Sequence, residues 1–215
     1  MTYVLRGYFR SSASWRVRIA LHLKGQPFEY VPVHLLRGGG EQHGEDHRRL
    51  NPMEQLPVLL VDGAPLTQSL AILEFLEERH PEPPLLPREP LARARARALA
   101  EVINSGIQPL QNLEVMQRLG ATFGAERPAQ LSWSRSYIAR GLGALEALVA
   151  GSAGRCMVGD EVTFADLCLV PQLYNARRFA VDLDACPTLV AIESRLVTLP
   201  AFRAAHPDQQ PDFEA

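Results

Sequence analysis

Five prolines fall within the eleven residues from His80 to Pro90 (HPEPPLLPREP). Each lacks a backbone N–H and holds φ near one value, so the stretch can be neither helix nor central strand. It reads as a stiff linker, and it constrains the fold more than any other feature. Before it, short runs alternate between strand and helix periods; after it, nearly everything has helical spacing. The expected organisation is a small α/β domain at 1–80, a linker at 81–90 and an all-helical domain at 91–215.

Composition narrows the function. Hydrophobic residues make 47% of the chain and charged residues 21%, which excludes disordered and fibrous classes. The 22 Lys+Arg against 24 Asp+Glu leave a net charge of −2, so no nucleic-acid partner is expected. No apolar run reaches the ~18 residues of a membrane span. MTYVLRGYFR lacks a charged region followed by an apolar one, so no secretory signal is expected. Cys156, Cys168 and Cys186 are sparse and show no ligand spacing. They fit a reducing, cytoplasmic setting and argue against a disulfide framework or a zinc site. The cations are almost all arginine, Lys24 being the only lysine.

Tyr3 to Phe9 reads as a strand and Ser12 to Lys24 as a helix stopped by Gly25. In that helix Val17, Ala20 and Leu21 share a face, and Ser14, Arg18 and His22 form a narrow polar stripe. A second strand over 28–33 completes β-α-β, for which a parallel pair and a right-handed crossover are expected. The polar run 37–49 is too glycine-rich at 38–40 for regular structure. Val58 to Val61, Asp62-Gly63 and Ala64 to Leu66 make a hairpin with a two-residue turn. The next helix, Gln68 to Arg79, turns Ile72, Leu73 and Leu76 inward and Glu74, Glu77 and Glu78 outward. Beyond the linker, helices are expected at 91–118, 129–150, 164–179 and 187–198, the third opened by a Thr163-x-x-Asp166 capping box.

Small α/β domains bind ligands at the carboxyl ends of strands, near helix N-termini. Three places qualify. The turn Arg10-Ser11-Ser12-Ala13-Ser14 offers hydroxyls at a helix start, either as plain caps or as a site that lowers a thiol pKa. At Leu56-Pro57-Val58 an X-Pro bond, if cis, exposes main-chain groups; trans is the commoner form. Gln68-Ser69 opens a helix and serves as a cap or as a carboxylate site.

The runs SSASWRVRIALHLKG (11–25), NPMEQLPVLLVDG (51–63) and QSLAILEFLEERHPEPPLLP (68–87) resemble the zeta class of the glutathione transferase family. The likeness continues through IQPLQNL (107–113), VGDEVTFADLCLVPQ (158–172), NARRFAVDL (175–183) and HPDQQPD (206–212), so it spans Tyr3 to Asp212. It implies an α/β plus all-α fold, with a thioredoxin-like N-terminal domain and a C-terminal helical domain. It also implies glutathione as cofactor and a homodimer. Ser11 is then the residue that stabilises the glutathione thiolate, with Ser12 beside it. Ala13, Ser14, Trp15 and Arg16 complete that cofactor segment. Gln42, Leu56, Pro57, Gln68 and Ser69 hold the tripeptide, with Leu56 exposed by a cis Pro57. Gln108, Asn112, Leu113 and Glu114 close the pocket, and Arg178 meets a substrate carboxylate. The family usually carries Cys where this chain has Ala13, so a mechanism needing a second protein thiol is excluded.

The implied activity is cis–trans isomerisation of maleylacetoacetate, a small dicarboxylate, by thiolate addition, bond rotation and elimination. Maleylpyruvate is the alternative substrate. A general glutathione transferase and a non-catalytic glutathione-binding module are the other readings. His43 and His47 lack a third ligand, and no metal site is expected. Arg95 points nearly opposite Arg93 and Arg97, so the three make no single patch. Gly38-Gly39-Gly40 lacks the Lys and Ser/Thr of a phosphate loop and reads as a lid. Cys168 reads as core.

Overall fold

A computed structural model describes residues 1–214. They fall into two compact units: Met1–Pro84 with the chain from Thr198 onward, and Leu85–Val197.

The first unit is built on β1 (Tyr3–Gly7), α1 (Ser12–Leu23), β2 (Glu29–Pro32), α2 (Glu45–Leu50), β3 (Val58–Val61), β4 (Ala64–Thr67) and α3 (Ser69–Arg79). The sheet order is β2-β1-β3-β4, with β1 and β2 parallel and the other two pairs antiparallel. The hairpin turn is Asp62-Gly63, at φ 47° and 85°. Two left-handed central residues match the twist of the strands they join, and glycine takes the second at no steric cost. Tyr3, Leu5 and Gly7 alternate into the core, and α1 and α3 pack together with Val17, Ile19, Leu21, Ile72, Leu73 and Leu76 fully buried.

Three expectations need correction here. The run 37–49 is not irregular throughout: two 3-10 turns are followed by α2, whose first turn carries Glu45 and Asp46 at the positive helix end. The polar stripe of α1 lies inside the fold, where Ser14 and Arg18 are wholly buried. Glu77 points inward to Lys24, at 2.6 Å. The chain from Thr198 onward groups with the first unit, not with the helical one. Its short helix α9 (Pro200–Ala204) lies against α1, and Arg18 donates to the Ala205 carbonyl at 3.1 Å. A buried guanidinium needs acceptors, and this segment supplies one.

The second unit holds α4 (Pro90–Asn104), α5 (Leu113–Phe123), α6 (Arg127–Val149), α7 (Phe164–Arg178) and α8 (Pro187–Leu196); α9 (Pro200–Ala204) follows in the first unit. The expected helix over 91–118 is broken. It stops at Asn104 and resumes at Leu113, with a 3-10 turn Gln108–Gln111 between. A Cβ on Gly106 would lie 2.7 Å from the Val102 carbonyl, and Pro109 has no N–H to continue the ladder. Every residue of α7 from Phe164 to Leu173 is buried, and α4 packs beside it.

Candidate functional site

Strand register gathers the three candidate segments of the first unit at one edge of the sheet. Arg6 on β1 faces Val58 on β3, and Val58 faces Thr67 on β4. The turn after β1, the Leu56-Pro57 entry to β3 and the Gln68-Ser69 exit from β4 therefore lie at the same end. Gly7 also pairs with Pro32, so β2 leaves the sheet at that end and leads toward Gln42. None of this follows from spacing; it follows from two antiparallel pairs and one parallel pair.

Ser11 is the N-cap of α1, with extended φ and ψ of −66° and 116°. Its Oγ accepts from the Ser14 N–H at 3.2 Å, and its carbonyl accepts from Trp15 N–H at 2.8 Å. The capping reading and the functional one are compatible. A hydroxyl that accepts the cap bond keeps its own hydrogen, and half-buried Ser11 can donate it outward. The helix start adds partial positive charge. Ser12 is buried and Ala13 half-buried on the first turn. Ser14, Trp15 and Arg16 are buried: Trp15 sets its ring edge-on to His206, and Arg16 Nη1 lies 3.4 Å from Ser69 Oγ.

The Leu56-Pro57 bond is cis. Among the described residues, neither the N–H nor the carbonyl of Leu56 is used by another group, though Val58 enters the ladder two residues on. Gln68 sits at the N-cap of α3 with φ 65° and ψ 110°, a positive φ that a non-glycine residue holds only where the surroundings impose it. Its side chain is exposed, and Ser69 beside it is buried. Gln42 is buried, its Nε2 3.0 Å from His43 Nε2, and its Oε1 has no partner among the described residues. His43 itself pairs with Glu54, while His47 Nε2 meets the Gln55 carbonyl at 3.0 Å.

In the second unit, Gln108 opens the 3-10 turn. That turn is held by a reciprocal amide pair, Gln111 Nε2 to Gln172 Oε1 at 3.0 Å and the return bond at 3.3 Å. Trp133 Nε1 adds a bond to the Leu110 carbonyl at 2.8 Å. Asn112 caps α5 through Oδ1 and Leu113 N–H at 3.0 Å. Glu114 is exposed and pairs with Arg118 one turn on, at 3.3 Å. Arg178 ends α7, exposed, with Nη1 2.8 Å from Asn175 Oδ1.

Sequence reasoning missed the groups that brace the Ser11 turn from behind. Arg18 donates Nη2 to the Phe9 carbonyl at 2.8 Å and Nη1 to the Tyr8 carbonyl at 3.4 Å. Burial lowers it to about 10. Asp212 accepts from Phe9 N–H at 2.9 Å and from Tyr30 Oη–H at 3.4 Å. Burial pushes the Tyr30 phenol well above its ordinary range, so it remains a donor. The signal for Arg18 was a charge inside an otherwise apolar helix; Asp212 stood only as the last residue of the HPDQQPD run, with no role attached.

The class follows from this geometry and from comparison. Residues 10–79 match the model for the glutathione S-transferase N-terminal domain. The chain belongs to the glutathione S-transferase family. It is 49% identical to the maleylacetoacetate isomerase of Mus musculus over 212 residues, 99% of this chain and 95% of that one. The maleylacetoacetate isomerase of Anaeromyxobacter dehalogenans 2CP-1, solved with GSH in its active site, is 51% identical. It covers 99% of this chain and 98% of its own, with a TM-score of 0.89. A maleyl pyruvate isomerase, a bacterial zeta-class transferase, is 42% identical over 98% of this chain and 100% of its own, at a TM-score of 0.94.

Proposed function

We propose that this chain is a glutathione-dependent isomerase that converts the cis double bond of maleylacetoacetate to trans. One observation carries the reading: the Ser11 cap, the unused Leu56 main chain and the Gln68-Ser69 helix start converge at one end of one sheet. The residues fit a tripeptide with two carboxylates. Leu56 offers a strand-like donor and acceptor, Ser69 a hydroxyl at a helix start, and Gln42 an unpartnered buried Oε1. Glutathione, when bound, supplies a thiolate that adds to the conjugated double bond and leaves again, so that the bond rotates as a single bond.

The chain's own residues make this possible. Ser11 donates its O–H toward the sulfur while the start of α1 favours negative charge there, two features that lower a thiol pKa. Ser12 stands beside it on the same turn. Gln68 and Ser69 take a carboxylate at the positive end of α3. Arg178 grips a substrate carboxylate, for which its planar fork is suited. A homodimer and a cytoplasmic setting accompany this reading, the latter supported by three buried free cysteines; light scattering decides the former. No helix among the described residues is long and apolar enough to cross a membrane.

The test is conversion of maleylacetoacetate with and without glutathione; turnover indifferent to its omission overturns the proposal. A second reading, maleylpyruvate isomerisation, is favoured by the likeness to the maleyl pyruvate isomerase at a TM-score of 0.94. Comparison of kcat/KM on the two substrates separates them.

A further inference from the structure

We propose that Asp212, near the far end of the chain, is a positioning residue for the Ser11 turn. The inference rests on the reading that Ser11 stabilises a bound thiolate. Phe9 stands two residues before Ser11, and both of its main-chain groups are held by charged side chains. Its carbonyl accepts from Arg18 Nη2 at 2.8 Å, and its N–H donates to Asp212 Oδ2 at 2.9 Å. The preceding carbonyl, of Tyr8, accepts from Ser11 N–H at 3.0 Å and from Arg18 Nη1 at 3.4 Å. The turn from Tyr8 to Ser11 is thus gripped on successive peptide groups by a cation from α1 and an anion from 203 residues away.

The anion is itself well placed. Tyr30 Oη lies 3.4 Å from the same Oδ2, and the Arg18 guanidinium lies 5.7 Å from the centre of the Tyr30 ring. Phe213, next along the chain, sets its ring edge-on to Phe9 at 5.6 Å. Glu214 then reaches Arg37 at 2.7 Å and His34 Nε2 at 3.3 Å, on the segment that leads to Gln42. His34 Nδ1 accepts from the Leu36 and Arg37 N–H groups, which puts its proton on Nε2, facing Glu214. The terminal segment therefore straps two loops that the proposed function assigns to the cofactor, and Asp212 is the point where the strap meets main chain. Charge-assisted bonds to a main-chain N–H are the stronger kind, and among the described residues the buried Phe9 N–H has no other acceptor.

Removing the carboxylate frees one peptide of the turn and lets the Ser11 hydroxyl swing from its aim at the sulfur. A merely structural tether would change the melting temperature and nothing else. The experiment compares Asp212→Ala, Asp212→Asn and Ser11→Ala with the parent chain. The readouts are the pH midpoint of thiolate absorbance of bound glutathione, kcat and KM, and amide hydrogen exchange at Phe9–Ser12 without glutathione. Asp212→Ala should raise the midpoint, lower kcat by about tenfold with KM nearly constant, and speed exchange in the turn. Asp212→Asn keeps an oxygen for Phe9 N–H and should recover most of kcat. Asp208→Asn, on the same segment but exposed, should change none of these. A folded Asp212→Ala with parental midpoint, kcat and exchange overturns the proposal. If that variant does not fold, Asp212→Asn combined with Tyr30→Phe, which removes the charge and the Tyr30 bond but keeps an acceptor for Phe9 N–H, should exchange faster in the turn and show a smaller rise of the midpoint; parental values of both overturn the proposal. If Ser11→Ala leaves the midpoint unmoved, the reading of Ser11 fails instead, and exchange still decides whether Asp212 holds the turn.

Discussion

At the scale of single residues, the chain places its scarce charges where burial makes them matter. The only lysine, Lys24, has a fully buried side chain with Nζ 2.6 Å from Glu77 and 2.7 Å from the Pro83 carbonyl. Lys24→Met leaves a buried carboxylate and a carbonyl without their cation, and should cost about 3–5 kcal/mol in urea unfolding. Lys24→Met with Glu77→Leu should recover most of that, because no charge then remains unpaired; a double variant as unstable as the single would refute the argument. Ser11→Ala separates two roles. Loss of the cap should cost only about 1 kcal/mol of stability, whereas loss of the donor should lower turnover on the order of a hundredfold. Unfolding and glutathione-dependent kinetics on one preparation test both halves. Ser11, Gln68 and Ser69 were legible because helix starts have a residue signature. The burial of Arg18 and Glu77 was not, since their partners lie on elements that periodicity cannot bring together.

At the scale of elements, α7 depends on its first turn. The Asp166 carboxylate accepts from Thr163 N–H and Oγ1–H, both at 2.8 Å, and from Met157 N–H at 2.9 Å. The capping box was readable from the sequence; the third bond, which ties down the loop before the helix, was not. Burial raises this carboxyl from 3.8 to about 6, the donated bonds pulling the other way. The folded chain then keeps a proton that the unfolded chain releases near 3.8. The contribution of this proton to stability is complete below that value, declines as pH rises toward about 6 and is constant above it. Asp166→Asn cannot titrate, so it should lose this slope while being less stable at every pH, its amide facing donors. Urea midpoints for both proteins at acid and neutral pH test it; parallel curves would count against the assignment. The break in the expected helix over 91–118 belongs to the same scale: a helical period persists in the sequence and the i→i−4 bonds run on to Ile107, but Pro109 has no N–H to continue them.

At the scale of the whole molecule, the two compact units are not continuous stretches of sequence. The stretch 81–90 is split between the two units, and the chain from Thr198 onward returns to the first. The three cysteines are buried, and desolvation pushes Cys156 up to about 12. All three thiols should resist an aromatic disulfide reagent in the native protein and react together on unfolding; a native thiol that reacts at once would contradict their burial. Local patterning by itself determined the four strands, α1 and α3 of the first unit, the hairpin turn, the capping box and the candidate helix starts. These depend on side-chain period, φ preference and bonds between near neighbours. Tertiary structure decided that three of those segments meet at one sheet edge and that Asp212 closes on Phe9; the cis Leu56-Pro57 bond agrees with what the family resemblance implied, though local pattern favoured trans. A contact across 203 residues has no period to betray it, because it exists only once the sheet and α1 have formed a surface for the chain end to meet.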